Sequence, residues 1–290
     1  MKKFFFFAAS ALMLAAFASC TPDGPGKDQP KTPEVKTAAE NLVVHLPLES
    51  AADAVSVGAG ISADATKGAG SFAAGFIGKG YTNSAADNNS EAFLKLKLAA
   101  GNAFTKLESM TFSCWVKLPA GKEAKGALIS FNGTGVEDIW PSFVYLFDNF
   151  SEEAGQQFNG RIDFLSVDGK PAMWPNAQSP EYAKKDVWFH VARTYDASTG
   201  AWANFANGVK VNDGVFTPND KVVGGIKAAF ASDCNALYVG AWASRVEGKS
   251  SDAWQNYFCG SIDEIRFFNK ALSETEINAL YKEELAISLE

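Results

Sequence analysis

Four carboxylates lie close together near the end of the chain. Asp263 and Glu264 are adjacent in SIDEIRF, and Glu274 and Glu276 follow in SETEINALY. Paired carboxylates are the catalytic groups of glycoside hydrolases, in which one donates a proton and the other acts as nucleophile or base. Neighbouring residues of a strand point to opposite faces of the sheet, so Asp263 and Glu264 are not expected to act on one substrate. We therefore predict no catalytic pair here.

The two glutamates of SETEINALY have a structural explanation. Ser273 and Glu276 have the spacing of a capping box, and an apolar stripe follows them. Carboxylates in the first turn of a helix are stabilised by its free N–H groups and its dipole. The segment predicts a short C-terminal helix whose acids belong to the fold.

Histidines and cysteines give little further chemistry. His190 lies on a predicted strand with no Ser or Cys nucleophile motif beside it, and we interpret it as a structural residue. His45 is the other histidine of the chain, and Cys114, Cys234 and Cys259 lack CxxC spacing, which argues against a zinc site. A Cys234–Cys259 disulfide fits a location outside the cytoplasm, but the sequence does not decide it.

Short segments with period-two alternation fill the chain from residue 42 onward. TFSCWVKL alternates in this way, and Asp168–Gly169 and Asn207–Gly208 have the turn chemistry of two-residue hairpins. The pattern predicts an all-β fold, a two-sheet antiparallel jelly-roll sandwich with a short C-terminal helix. Several strands carry apolar residues on both faces, so the outer face of one sheet is expected to be covered or to line a groove. The glycine-rich stretch 57–70 is expected to be a flexible surface loop.

The first 40 residues predict a leader and a tether. Two lysines precede an apolar run, as in a secretory signal, and the small residues before Cys20 in FASC resemble the lipobox of bacterial lipoproteins. Residues 1–19 are then a lipoprotein signal peptide, Cys20 carries lipid, and residues 20–40 form a Pro- and Gly-rich tether. The expected location is the bacterial cell envelope, at the outer membrane, held by lipid without a spanning helix. An ordinary signal with a chance cysteine is the alternative.

The remaining residues, 41–290, are expected to form one domain, because no internal repeat is evident. Loss of the two lysines of the signal changes the formal charge from −7 to −9. This sign argues against nucleic acid and against an anionic membrane face as partners.

Four segments in register resemble the concanavalin A-like lectin/glucanase superfamily, in its laminin-G-like bacterial branch. They are GFIGKGY, TFSCWVKLPAG, VWFHVARTYDASTGAWANFANGVKV and FCGSIDEIRFFNKALSETEINALY, and together they span about residues 42–282. The resemblance implies two curved antiparallel sheets and a domain that binds glycans or proteins. Some members of the superfamily are glycosidases, but their Glu-x-Asp-x-x-Glu pattern is absent from this sequence.

The resemblance also suggests a metal site. In related sandwiches the aspartate at the position of Asp263 ligates a structural Ca²⁺, and Glu49 in HLPLES is a candidate partner from the opening strand. Calcium needs six to eight oxygen ligands, of which backbone carbonyls supply several. The alternative is that Asp263 accepts hydrogen bonds from neighbouring backbone N–H groups.

Tryptophans beside loops are the candidate ligand-binding residues. Trp140, Trp174, Trp242 and Trp254 adjoin prolines or turn residues, and Arg245 lies in the long connection 241–257. An exposed aromatic ring with polar neighbours matches the apolar faces and polar edges of a sugar. The alternative is that these tryptophans fold over the sheets as lids of the core.

These observations favour a non-catalytic, surface-anchored lipoprotein that binds glycan or polysaccharide. The first alternative is an adhesion or assembly module that binds surface proteins through the same loops. The second is a glycoside hydrolase or polysaccharide lyase whose site the sequence does not reveal. The sequence does not decide whether the chain is an enzyme, but it favours a non-catalytic role.

Overall fold

Most of the regular secondary structure is β-strand, as the alternation of apolar and polar residues predicts. The computed structural model describes residues 34–85, 87–120, 125–132, 143–151, 157–166, 171–173, 176–178, 184–215, 228–229 and 234–290. In chain order the strands are β1 (Leu42–Leu46), β2 (Ile61–Gly68), β3 (Gly70–Ala74), β4 (Lys79–Asn83), β5 (Ala92–Leu98), β6 (Met110–Lys117), β7 (Gly126–Phe131), β8 (Phe143–Ser151), β9 (Gln157–Ser166), β10 (Pro171–Met173), β11 (Asn176–Gln178), β12 (Trp188–Tyr195), β13 (Ala201–Ala206), β14 (Val209–Val215), β15 (Ala228–Ala229), β16 (Ala236–Val239) and β17 (Gly260–Phe268).

The strands form two antiparallel sheets. Sheet A has the order β14-β13-β12-β6-β17-β4-β3, with β1 beside β17. Sheet B has the order β10-β9-β8-β7-β16-β5-β2, with β11 and β15 beside β9. Two sheets of antiparallel strands packed face to face confirm the predicted jelly-roll sandwich.

The main core lies between the sheets and is rich in phenylalanine. Strand β6 sends Phe112, Cys114 and Val116 into it, as the alternation of TFSCWVKL predicts. The ring of Phe104 packs edge to face on Phe131 at a centroid distance of 4.7 Å. Each buried phenylalanine contributes about 1.5 to 3 kcal/mol through the removal of apolar surface from water. This core fixes the two sheets whose outer faces are described below.

A C-terminal helix covers the outer face of sheet A. Helix α2 (Glu274–Ile287) follows α1, a short helix at Ala243–Val246, and begins at a complete capping box formed by Ser273 and Glu276. Both its position and its cap confirm the prediction for SETEINALY. Its residues Ile277 and Leu280 pack on the sheet with Phe205 and Phe268. The apolar residues on both faces of the sheet A strands are explained by this cover.

The packed unit starts before residue 41. Residues Val35–Glu290 form one compact unit. The backbone N–H groups of Lys36 and Thr37 donate to Oε2 of Glu283 on α2, at 2.8 and 3.0 Å. Residues 35–38, which the sequence analysis places in the tether, therefore contact the folded part of the chain.

The glycine-rich stretch 57–70 differs from the flexible surface loop that was expected. It contains β2 and the start of β3 and is not a surface loop. Strand β2 pairs with β5 over its whole length, and that tertiary pairing overrides the low β-propensity of Gly and Ala.

Local turn chemistry is predicted better. Asn207 and Gly208 adopt φ angles of 48° and 76° between β13 and β14, which is the two-residue hairpin turn expected from the sequence. Asp168–Gly169 lies outside the described residues. Cys114, Cys234 and Cys259 are buried, and the structure has no Cys234–Cys259 disulfide among the described residues.

Candidate binding face on sheet B

Sheet B presents one face to the core and the other to the long connection 241–257, which we call the platform segment. On β5, Leu94 and Leu96 face the core, so alternation turns Phe93, Lys95 and Lys97 outward. On the neighbouring strand β16, Leu237 faces the core and Tyr238 faces outward. Phe93 and Tyr238 pack edge to face at 5.6 Å and form the floor on which the platform segment lies.

Trp242 attaches the platform segment to the sheet. Its side chain is 2% exposed and packs with Ala127, Val144 and Leu146 on the outer face of sheet B. One residue further on, the N–H of Ala243 donates to Oγ of Ser130 at 3.0 Å. Trp242 therefore offers no ring face to solvent, which corrects the expectation that it is a stacking residue. The burial of Trp242 agrees with the alternative, in which the tryptophan folds over the sheet as a lid of the core.

Trp254 differs from Trp242, because 46% of its side chain is exposed. Its ring meets the ring of Trp242 edge to face, with centroids 5.2 Å apart and an interplanar angle of 90°. Aromatic pairs favour this geometry, so the buried ring positions the exposed one. The structure thus presents a supported aromatic surface at one of the predicted positions.

Arg245 closes the platform segment on itself. Its Nη1 donates to the carbonyl oxygen of Asp252 at 3.2 Å, and its guanidinium lies 5.4 Å from the ring centroid of Tyr257. Ser244 donates to Oε1 of Gln255 at 3.0 Å. These contacts link the start of the segment to its end, so that its short helix α1 and the loop after it form one unit.

Two buried side-chain amides lie near the end of the platform segment. Gln255 is fully buried and Asn88 is 8% exposed. Within the described part of the chain, Nε2 of Gln255 and Nδ2 of Asn88 have no hydrogen-bond partner. The carbonyl oxygen of Asn88 accepts from the N–H of Tyr257 at 2.9 Å, which places Asn88 at the end of the platform segment. Both amide nitrogens are buried, so a ligand does not reach them. The residues that sequence reasoning missed are Asn132, Asn235 and Glu247, which form the polar row described next.

A polar row continues from the platform segment across the sheet. Oε1 of Glu247 accepts from the hydroxyl of Tyr238 at 3.0 Å and from Nδ2 of Asn132 at 2.9 Å. Asn132 also donates to Oδ1 of Asn235 at 2.8 Å, and Lys249 pairs with Glu247 at 3.3 Å. Burial and the charge of Glu247 raise the pKa of Tyr238, so its hydroxyl stays a donor at neutral pH.

The predicted metal residues hold a loop of the fold. Oδ2 of Asp263 accepts from the N–H groups of Phe76 and Ile77 at 2.7 and 3.0 Å, and Oδ1 accepts from the N–H of Glu264 at 2.8 Å. Oε2 of Glu49 accepts from the N–H of Lys79 at 3.0 Å. The two carboxylates thus bracket the loop between β3 and β4.

This donor set does not fit a calcium ion at Asp263. Three N–H groups point at its carboxylate, so a cation there would face positive dipoles. Among the described residues, no group of three or more His, Cys, Asp and Glu side chains is placed to hold a metal. Hydrogen bonding to backbone N–H groups, the alternative to calcium binding, accounts for the contacts of Asp263. Calcium binding stays a prediction, which treatment with a chelator tests.

Asp263 and Glu264 do not alternate as a regular strand requires. A β-bulge shifts the register of β17 between Asp263 and Arg266, and Glu264 lies at φ 53°. Both carboxylates are fully buried, with no exposed surface for a substrate to reach. The bulge, and not regular alternation, sets the directions of the two side chains, which differs from the geometry assumed in the sequence analysis.

Glu264 belongs to a buried ionic network under helix α2. It pairs with Nη2 of Arg266 at 2.5 Å and with Nε2 of His45 at 2.7 Å. Glu284 of α2 pairs with Arg266 and accepts from Nε1 of Trp115 at 2.7 Å. Burial disfavours the ionised form of Glu264, but Arg266 and His45 outweigh it and lower its pKa.

Burial has the larger effect elsewhere in this network. It raises the pKa of Glu284 to about 7 against the opposing charge of Arg266. Burial, assisted by Arg266, lowers the pKa of His190 to about 3, and burial also lowers the pKa of His45. Both histidines are therefore neutral at pH 7, as expected for the structural role given to His190.

Three predicted residues lie outside the described residues, namely Cys20, Trp140 and Trp174. In the described part of the chain, no helix has both the length and the apolar character needed to cross a bilayer.

Comparison with known proteins identifies the family. A family model named Laminin_G_3, of the concanavalin A-like lectin/glucanases superfamily, matches residues 91–278. The chain belongs to this superfamily, which confirms the resemblance found in its sequence segments. No curated protein matches the sequence.

Several solved structures are similar to this chain at low identity. The binding domain of Botulinum neurotoxin DC in complex with rat synaptotagmin II is 12% identical, with a TM-score of 0.53 over 85% of this chain and 52% of that chain. The binding domain of Paraclostridial Mosquitocidal Protein 1 is 14% identical, with a TM-score of 0.52 over 83% of this chain and 52% of that chain. Domain 4 of AbnA, a GH43 extracellular arabinanase from Geobacillus stearothermophilus solved with arabinotriose, is 18% identical, with a TM-score of 0.49 over 82% of this chain and 97% of that chain. This chain spans about half the length of the two toxin chains.

Proposed function

We propose that this chain is a non-catalytic, lipid-anchored protein of the bacterial cell envelope that binds glycan on the outer face of sheet B. The observation that carries the proposal is the pair Trp254 and Trp242, in which a buried ring holds an exposed ring edge to face at 5.2 Å. A ring held in this way stacks on the C–H face of a sugar with little loss of side-chain entropy.

Polar groups on the same face supply the second requirement of a glycan site. Glu247, Lys249 and Asn235 are exposed residues, and sugar hydroxyls, which both donate and accept hydrogen bonds, match their side chains. The polar row from Glu247 to Asn235 extends the surface beyond a single ring. An oligosaccharide lying along this row contacts both the aromatic surface and the hydrogen-bonding groups.

Protein binding is the second candidate function. Trp and Arg are the residues that dominate the binding energy of protein interfaces, and the platform segment carries Trp254 and Arg245. We place glycan first because Arg245 already donates to Asp252 and lies over Tyr257, so its charge is engaged within the segment.

A screen of the full chain on a glycan array, followed by affinity electrophoresis in polysaccharide gels, tests the ligand class. The proposal expects retardation in at least one polysaccharide gel and no cleavage of that polysaccharide. Retardation in none of them, with capture of a surface protein that Trp254→Ala abolishes, favours the protein-binding function. Release of sugar products that a single carboxylate substitution abolishes identifies a hydrolase or lyase instead.

Lipid anchoring at Cys20 is the other part of the proposal, and it is supported by the lipobox-like FASC. Labelling cells with palmitate tests it, because only the lipidated cysteine incorporates the label. Cys20→Ala is expected to lose the label and to leave the membrane fraction. A Cys20→Ala protein that still carries palmitate contradicts the assignment.

A further inference from the structure

The outer face of sheet B holds a second group of side chains, away from the tryptophans. Lys95 and Lys97 of β5 both contact the carboxylate of Asp64 on β2, each at 3.2 Å. Residues two apart on a strand share a face and lie about 7 Å apart, so one carboxylate holds two ammonium groups side by side.

A β-bulge places Asp64 between the two lysines. Ala63 pairs with Leu96 and Ala65 pairs with Lys95, so Asp64 is the extra residue of β2. Bulges redirect a side chain without ending the strand, and they occur often beside functional sites. The neighbouring ammonium groups lower the pKa of Asp64, which keeps its carboxylate charged.

The group keeps a surplus of positive charge in an acidic protein. Two ammonium groups against one carboxylate leave a net charge of +1, whereas the whole chain carries −7. Each ammonium group has three N–H donors, and Asp64 uses few of them. The side chain of Lys97 is 65% exposed, so its remaining donors face solvent.

A cleft of about 570 Å³ opens beside these lysines. Lys95, Lys97 and Asn235 are among the residues that line it. Asn235 is also the end of the polar row that reaches Glu247 of the platform segment. In addition, Lys95 lies opposite Tyr238 in the pairing of β5 with β16, and the hydroxyl of Tyr238 donates to Glu247. The cleft and the platform segment are therefore parts of one continuous polar surface.

We infer that the glycan bound on this face is anionic, and that Lys95 and Lys97 bind its carboxylate groups while Trp254 stacks on a sugar ring. This inference rests on the proposed function and specifies its ligand class. A carboxylate carries the negative charge that complements the two ammonium groups and accepts hydrogen bonds from both, whereas a neutral sugar has no such charge. The ligand class is thus a polysaccharide that contains uronic acid residues.

Matched polymers separate the charge from the sugar backbone. Polygalacturonate and its methyl ester have the same backbone, and chondroitin sulfate and desulfated chondroitin extend the comparison to sulfate. We expect the full chain to bind polygalacturonate about tenfold more tightly than the ester, a difference of about 1.4 kcal/mol. The affinity for polygalacturonate is expected to fall as salt is raised from 50 to 500 mM, whereas that for the ester stays constant.

Variants assign the effect to the two lysines. Lys95→Gln and Lys97→Gln are each expected to reduce the preference for the charged polymer over its ester, and the double variant to abolish it. Lys210→Gln is the matched control, because Lys210 also lies between two carboxylates, Asp213 and Glu274, but on sheet A. It is expected to keep the full preference.

The outcomes separate this inference from the proposed function. Equal binding of the charged and esterified polymers, with loss of both in Trp254→Ala, overturns the inference and leaves the glycan-binding function intact. A preference for the charged polymer that survives in the double lysine variant also overturns it. A preference confined to chondroitin sulfate assigns sulfate and not carboxylate as the bound group, which overturns the uronate assignment. Binding to no polysaccharide overturns both proposals.

Discussion

The outer faces of the two sheets are covered in opposite ways. On sheet A, helix α2 closes over Arg266 and Glu264, and its own Glu284 pairs with Arg266, so all three charges are buried. On sheet B, the platform segment covers the apolar floor but leaves Trp254 and Lys97 in solvent. The charged groups of sheet A are paired inside the fold and cannot contact a ligand. On sheet B, the ammonium group of Lys97 keeps N–H donors that face solvent.

The same contrast separates the tryptophans of the two faces. Trp115 on sheet A lies between the rings of Phe76 and Tyr281, at centroid distances of 3.3 and 5.5 Å. Its N–H donates to Oε2 of Glu284. Trp254 on sheet B has one ring partner described, Trp242, and keeps almost half of its surface exposed. The comparison indicates that sheet A is closed for stability and that sheet B is the face for binding.

The largest expected effect is on the closed face. Glu284→Ala removes one of the two carboxylate partners of the buried Arg266 and leaves the N–H of Trp115 without its acceptor, so the free energy of unfolding is expected to fall by about 3 kcal/mol. Urea denaturation measures this. Glu274→Ala, on the same helix but with a side chain 61% exposed, is the control and should cost less than about 1 kcal/mol. Similar losses in both variants would mean that the network is not what holds α2.

Trp242→Ala tests the attachment of the platform segment. The variant leaves a cavity between the segment and sheet B, and a loss of about 3 kcal/mol in the free energy of unfolding is expected. Ligand binding should fall as well, because the ring of Trp254 loses its support. If the stability of Trp242→Ala equals that of the wild type, the segment is held by other contacts.

Acid should weaken the closed face through its histidines. The pKa of His190 is lowered from 6.5 to about 3 in the fold, so its contribution to stability is present above pH 6.5 and is lost as pH falls from 6.5 towards 3. Glu284 has the opposite sign, because its raised pKa gives stability that is full below 4.5 and lost as pH rises through about 7.

The variant His190→Gln isolates the histidine from this opposing effect. As pH falls from 6 to 4, the wild type should lose about 1.4 kcal/mol of unfolding free energy per pH unit relative to His190→Gln. Denaturation curves over this range measure the difference. Parallel pH profiles of the two proteins would show that His190 does not titrate with unfolding.

A smaller effect is expected at Asp263. Asp263→Asn places an NH₂ group where backbone N–H groups donate, which should cost about 1 to 3 kcal/mol. Since the donor set does not fit a cation, the melting temperature of the wild type should be the same with and without a chelator. A fall in melting temperature on chelation that Asp263→Asn removes would establish the calcium site.

Elements with strong local signals were predictable from the sequence. The capping box at Ser273, the Asn207–Gly208 turn and the alternation of β6 each depend on residues close in the chain. Strand β2 was missed because its pairing with β5, and not its own composition, makes it a strand. The bulge at Glu264 was missed for a related reason, since an ion pair with Arg266 and a hydrogen bond to His45 hold it in place.

The candidate site was predictable in part. The long connection 241–257 was identified by its length, but Trp242 and Trp254 have similar local sequences and opposite exposures. Contacts of Trp242 with Ala127 and Val144, which are distant in the sequence, decide which ring is buried. The Lys95–Asp64–Lys97 group depends on a bulge and a strand pairing that the sequence does not show.

The measurement that tests the central claim most directly is polysaccharide binding by Trp254→Ala, with the melting temperature recorded on the same sample. Trp188→Ala, at the start of β12 on sheet A, is the matched tryptophan control. The account predicts that Trp254→Ala loses about 1 to 3 kcal/mol of binding free energy, the range found for stacking on other aromatic surfaces, with little change in melting temperature. Trp188→Ala should keep its binding. Unchanged binding by a stably folded Trp254→Ala protein, or a large loss of stability with binding retained, would contradict the account.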